Sequence, residues 1–91
     1  MREIEFGTYI SMGETPSTLV LQSNHEFALI ASDYISLIPR GQFTINNSKL
    51  YLAIVDDEHI FLIVEDGLIF ESGTWLGQWV EQGSLFEFSS K

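Results

Sequence analysis

Two histidines carry the first chemical question this chain poses. His25 opens His25-Glu26-Phe27, and 34 residues later His59 opens His59-Ile60-Phe61. Paired imidazoles with Glu26, Asp57 or Glu58 as a third donor would be the start of a metal site. No H-x-H or H-E-x-x-H spacing accompanies them, so both read as exposed turn residues at strand entry. Asp56-Asp57-Glu58 offers oxygen ligands but is too short to wrap a calcium ion and lacks the spaced carboxylates of a calcium loop. It reads as a charged turn. Nucleophilic catalysis needs a Ser or Thr beside a base. The chain has no G-x-S-x-G elbow, and Ser72-Gly73-Thr74 reads as turn chemistry. With no cysteine there is no thiolate nucleophile or ligand. The expectation is a non-enzyme with no catalytic residue, no metal and no cofactor.

Aromatic residues are the stronger candidates. A Gly-x-aromatic mark appears as Gly7-Thr8-Tyr9, Gly41-Gln42-Phe43 and Gly73-Thr74-Trp75. It suggests an internal repeat in which Tyr9, Phe43 and Trp75 are equivalent. Trp75 and Trp79 are four residues apart, which on a strand places both rings on one side. Such rings either plug a barrel or form a stacking platform, since Trp is enriched among residues that dominate interfaces. Arg40, between Pro39 and Gly41, is an isolated cation expected to pair with a nearby carboxylate. Trp75, Trp79, Tyr9 and Arg40 together are the candidate binding surface.

Charge narrows the partner. Thirteen acids against four Lys/Arg leave a net charge of −9 in 91 residues. A phosphate backbone requires basic neutralisation, so nucleic acid is excluded as a partner, and an anionic membrane surface is disfavoured. No run approaches the ~18 apolar residues of a spanning helix. No basic start followed by an apolar stretch marks a signal peptide; if Met1 is the native start, the protein is expected to be cytoplasmic. An acidic face suits a protein partner with a basic surface.

The elements that position these residues are strands. No window carries apolar residues at helical spacing over three turns; short runs rich in Ile, Val, Phe, Tyr and Thr alternate with turn residues instead. Residues 4–12 form the first run, with Ile4, Phe6, Thr8, Ile10 and Met12 on one side and Glu5, Gly7, Tyr9 and Ser11 on the other. Further strands are read at 18–22, at 26–31 with Phe27 and Leu29 inward, at 42–46, 49–55, 59–65, 68–71 and 85–89. Residues 35–38 are either a short strand or one helical turn capped by Ser32 or Asp33. The segment 74–80 is strand-like, bent at Gly77. Asn24 takes a left-handed turn position, Asn46-Asn47-Ser48 makes a hairpin, and Asp66-Gly67 is the strongest hairpin signal. Strands 49–55 and 59–65 are apolar on both faces, the mark of central strands buried on both sides. The fold expected is one all-β domain over residues 1–91, a small antiparallel meander of about eight strands closed as a barrel or folded as a two-layer roll. Phe6, Phe27, Phe43 and Trp75 are the expected interior fillers.

The positions Gly7, Tyr9, Leu19, Leu21, Phe27, Leu29, Ser36, Gly41, Phe43, Leu50, Leu52, Phe61 and Gly67-Leu68-Ile69-Phe70 give the chain a pattern over residues 7–70 that resembles small β-meander domains of uncharacterised Firmicutes proteins. These include segments beside BlaR-type peptidases, and the pattern is loosely similar to lipocalin- and avidin-type barrels. The resemblance implies a fold and carries over no site residue. The functional expectation is a protein–protein interaction module, inhibitor- or immunity-like, as a monomer or an edge-paired homodimer. The alternative is a lipocalin-like barrel holding a small ligand in a cavity.

Overall fold

A computed structural model describes residues 4–11, 16–32, 35–54 and 56–90. Eight strands follow in order: β1 (Gly7–Ser11), β2 (Ser17–Leu21), β3 (Glu26–Ile30), β4 (Arg40–Asn46), β5 (Lys49–Ile54), β6 (Asp57–Val64), β7 (Gly67–Ser72) and β8 (Leu85–Ser90), with a single turn of 3-10 helix at Leu76–Gln78. Each strand pairs antiparallel with the next, and β8 returns to β1, so the meander closes as a barrel. Every strand therefore has a neighbour on both sides. Among the described residues no helix is long and apolar enough to cross a membrane.

Eight strands enclose a lumen that side chains alone can fill. Phe27, Phe43, Phe61, Phe70 and Phe86 occupy it with Leu19, Leu21, Leu29, Leu50, Leu52, Ile54 and Leu68, all essentially without solvent exposure. Register brings them together: Phe43 lies opposite Leu52, Leu50 opposite Phe61, and Phe61 opposite Phe70. The Phe61 ring stands 5.4 Å from Phe70 and 5.4 Å from Phe86, edge-on to the latter at 85°. That geometry adds quadrupole attraction to area burial. Phe27 and Leu29 point inward as the alternation predicts.

Several expectations are corrected. On β1 it is Tyr9 and Ser11 that are buried, while Thr8 and Ile10 are half-buried outside; Phe6 precedes the strand and is 37% exposed rather than filling the interior. β5 and β6 are not sandwiched. Leu50, Leu52, Ile54, His59, Phe61 and Ile63 face in, while Tyr51, Ile60, Leu62 and Val64 remain half-exposed and Ala53 is exposed. A closed wall has one inside, so a strand apolar on both faces simply puts its second face on the outer surface. Residues 35–39 form neither strand nor helix. The segment 74–80 is not a strand but the approach to and exit from the 3-10 turn. In the first turn His25, not Asn24, takes the left-handed position (φ 67°), and Asn24 instead accepts a bond from the Glu26 amide. The Met12 and Asp33 readings lie outside the described residues.

Other turns follow their chemistry. Asn47 and Ser48 carry φ 53° and 64°, the doubly positive pair that matches strand twist in a two-residue hairpin. Gly67 opens β7 at φ 151°, and a Cβ there would fall 2.1 Å from the Phe86 carbonyl oxygen. The repeat does not extend to a common structure. Gly7 and Gly41 lie in strands and place Tyr9 and Phe43 inside, whereas Gly73 leads into the 3-10 turn.

Alternation sorts the connections between the two ends of the barrel. One end carries the tight turns at 22–25, 47–48 and 65–66. The other carries the long connections at 31–39 and 73–84. Replacing Gly67 by Ala forces β7 away from β8 and is expected to reduce unfolding free energy by about 1–3 kcal/mol. A urea melt reads this directly, and an unchanged midpoint would show that the two backbones do not approach so closely.

Candidate functional site

The β7–β8 connection, residues 73–84, is built onto the long-loop end by two side chains of β6. After Ser72 the chain passes the His59 ring at Gly73 (φ 153°), where a Cβ would sit 2.2 Å from Cδ2 of that ring. Only glycine permits this path. Thr74 then donates twice to the Asp57 carboxylate, from its backbone N–H at 2.8 Å and from its hydroxyl at 2.7 Å. Leu76 donates its N–H to His59 Nε2 at 3.1 Å. The turn closes on itself through Gly77 N–H to the Gly73 carbonyl at 3.1 Å and Val80 N–H to the Leu76 carbonyl at 3.0 Å. Leu76, fully buried, and Val80, 7% exposed, join the barrel core. The chain is handed back to β8 by Gly83 N–H to the Phe70 carbonyl at 2.7 Å and Phe70 N–H to the Ser84 carbonyl at 2.9 Å.

His59 and Asp57 define the electrostatics. His59 is fully buried, and its ring stacks 6.4 Å from Phe70 at 28°. Because Nε2 accepts the Leu76 N–H, the proton of the neutral ring belongs on Nδ1, which lies 3.4 Å from the Asp57 carbonyl oxygen. Burial pushes the imidazole below its ordinary value of 6.5, against the weaker pull of the Asp57 carbonyl and carboxylate. The Asp57 carboxyl is held below its ordinary 3.8, first by the Thr74 N–H and then by the Thr74 hydroxyl. The sequence reads His59 as an exposed residue at strand entry and Asp57 as part of a charged turn; both lie in β6, with His59 buried. The signal that could have found them, a His and an Asp two apart facing a Gly-Thr 14 to 17 positions on, has meaning only once the strands are paired.

The connection presents two indoles. Trp75 is half-buried against the core and Trp79 is 40% exposed, with ring centroids 4.7 Å apart at 65°. The pair expected on one surface does meet, but across the 3-10 turn instead of along a strand. Gln78 Nε2 donates to the Trp75 carbonyl at 3.2 Å and ties the turn further. Beside it runs an open groove of about 390 Å³, lined by Phe70, Ser72, Thr74, Gly77, Val80 and Glu81.

The other candidates lie elsewhere. Tyr9 is 3% exposed inside the barrel, edge-on to Phe88 at 5.2 Å, and its hydroxyl donates to the Glu5 carbonyl at 2.6 Å. Burial raises its pKa. Arg40 is exposed at the start of β4, opposite Ala28 and across the ring from the tryptophans. Among the described residues it has no carboxylate partner; the ion pair there is Lys49 with Glu71, at 3.3 Å. His25, exposed in the β2–β3 turn, stacks on Phe43 at 5.3 Å and 4°, at the opposite end from His59. The two imidazoles therefore share no site, and among the described residues no three potential metal ligands converge. The structure thus brings together Trp75 and Trp79 and separates them from Tyr9 and Arg40.

No protein family, curated protein or solved structure matches the chain.

The Asp57–Thr74 contact makes a pH prediction. Unfolded, the carboxyl takes its proton near 3.8; folded, it resists until lower pH. The contact thus stabilises fully above 3.8 and is lost as pH falls through the depressed folded value. Asp57→Asn should lower the urea midpoint at neutral pH, and the gap between variant and wild type should shrink below pH 3.8. A gap constant across that range would mean that Asp57 carries no stabilising charge.

Proposed function

We propose that this chain is a non-enzymatic interaction module, inhibitor- or immunity-like, which docks a basic protein surface on the Trp75–Trp79 turn. The observation that carries this reading is an indole left 40% exposed yet braced edge-to-face by a second indole, on a turn pinned to the barrel at Asp57 and His59. A ring already held in place loses little freedom on binding, so more of its buried area contributes to affinity. Trp at the centre of an interface characteristically dominates it.

Charge supports a basic partner. Glu81 is the single charged side chain in residues 73–84, and the chain as a whole carries −9. The field steers a cationic surface toward a turn that itself contains no cation to repel it. An arginine side chain can lie flat on an indole face, combining stacking with cation–π attraction. The lipocalin-like alternative needs an open lumen; here phenylalanines and leucines occupy the lumen, which weighs against it.

Selection from a displayed random-peptide library tests the reading with defined ligands. Enriched sequences should be rich in Arg and Lys, should weaken as salt rises, and should lose about tenfold or more in affinity for Trp79→Ala. Binders that are acidic, or that retain full affinity for Trp79→Ala, would contradict it. Trp79 is a surface residue, so the variant should keep the wild-type strand spectrum.

A further inference from the structure

We propose that His59 is a latch: its neutral ring holds the tryptophan-bearing connection on the barrel end, and its protonation frees that connection while the barrel stays closed. As regulation of the docking turn, this rests on the function proposed above; as a conformational property of the free chain, it is measurable without a partner.

The geometry leaves an incoming proton one place to go. Nδ1–H is already directed at the Asp57 carbonyl, and Nε2 is the acceptor for the buried Leu76 N–H. A proton on Nε2 converts that contact into two donors facing one another. The Leu76 N–H then has no partner, and a buried backbone donor left unpaired is unfavourable by as much as a lost hydrogen bond. The ring also becomes a cation in apolar surroundings. β5 places Leu52 opposite His59; β7 contributes the Phe70 ring; the connection contributes Gly73 against the ring edge and Leu76. From β6 itself comes Asp57, the charged group that interacts with the imidazole among the described residues. Its carboxylate is already engaged by Thr74. Its attraction for an imidazolium is outweighed by burial, so the folded ring gains its proton below 6.5. The hold on the connection is therefore complete above 6.5 and is lost as pH falls through the lower, folded value.

The strain can be relieved locally. The ladders that join β6 to β5 and β7 use backbone groups and do not involve the imidazole. Residues 73–82 add Leu76 and Val80 to the core, while the lumen is filled by strand residues. Lifting this segment exposes Leu76, Val80 and the buried part of Trp75 and leaves the closed ring of strands intact, the pattern of a sub-global opening.

Both tryptophans of the chain lie on this connection, so indole emission reports it alone. Wild type and His25→Gln should be titrated from about pH 8 downward until the strand dichroism itself is lost, following indole emission, acrylamide quenching, far-ultraviolet dichroism and the imidazole resonances. Below pH 6.5 the emission should shift red and quenching rise about twofold or more, as local opening exposes the rings. The midpoint should coincide with titration of the His59 resonance, and the strand dichroism should stay constant through that transition. His59→Gln, whose side-chain oxygen can still accept from Leu76 but takes no proton, should give a flat profile until the strand dichroism is lost. The latch is overturned if emission and strand signal change together, if emission stays flat while the His59 resonance titrates, or if a folded His59→Gln keeps the transition. Should His59→Gln not fold, the wild-type comparison of emission with the His59 resonance decides alone. Absence of selected peptides would remove the docking reading and leave this transition untouched.

Discussion

The hydrogen bond from the Leu76 amide to His59 Nε2 organises this molecule beyond its strands. An eight-strand wall filled by its own side chains is closed around its circumference but needs cover at its ends. At the end with long connections, residues 73–84 supply that cover with Leu76 and Val80. A cover made of irregular backbone must have its N–H groups satisfied where they are buried. His59 meets this demand for the buried Leu76 N–H, and Asp57 adds an exposed clamp on Thr74, both from the first three residues of one strand. Gly73 is the third requirement, because any side chain there would collide with the ring that makes the bond.

The same two contacts decide what is left for the surface. Pinning residues 74 and 76 turns Leu76 inward and leaves Trp75 and Trp79 flanking a tight turn, one ring supporting the other. A strand carrying two indoles four residues apart would have presented them as part of the wall. The turn presents them at the end of the barrel, beside a groove and away from the rigid ladders. Functional side chains are often carried in this way, on connections held by a stiff scaffold.

Much of the scaffold was legible from period and turn chemistry. Alternation marked Phe27 and Leu29 as inward and grouped Leu50 with Leu52 on one face, and Asn46-Asn47-Ser48 marked a hairpin. A chain of this length without cysteine needed a closed, aromatic-rich core. What alternation could not reveal was where the second apolar face of β6 would lie, since closing the wall puts Ile60, Leu62 and Val64 outside without any change in sequence pattern. Trp75 and Trp79 were recognisable as a pair, but their setting was misread. Period-two reasoning treats 74–80 as a strand, whereas long-range bonds to Asp57 and His59 fold it as a 3-10 turn. His59 itself resembled His25 in its local sequence, yet one is buried and the other exposed. The distinction comes from Gly73 and Leu76 in the β7–β8 connection, 14 and 17 residues away, which no local motif encodes.

Amide hydrogen exchange at Leu76 tests the central claim most directly. At pH above 7, where His59 is neutral, the Leu76 amide should be protected by about a hundredfold or more relative to an open peptide, in the range of a locally closed segment. Exchange as fast as that of Leu37, exposed in the β3–β4 connection, would contradict the account and leave the tryptophan turn without its anchor.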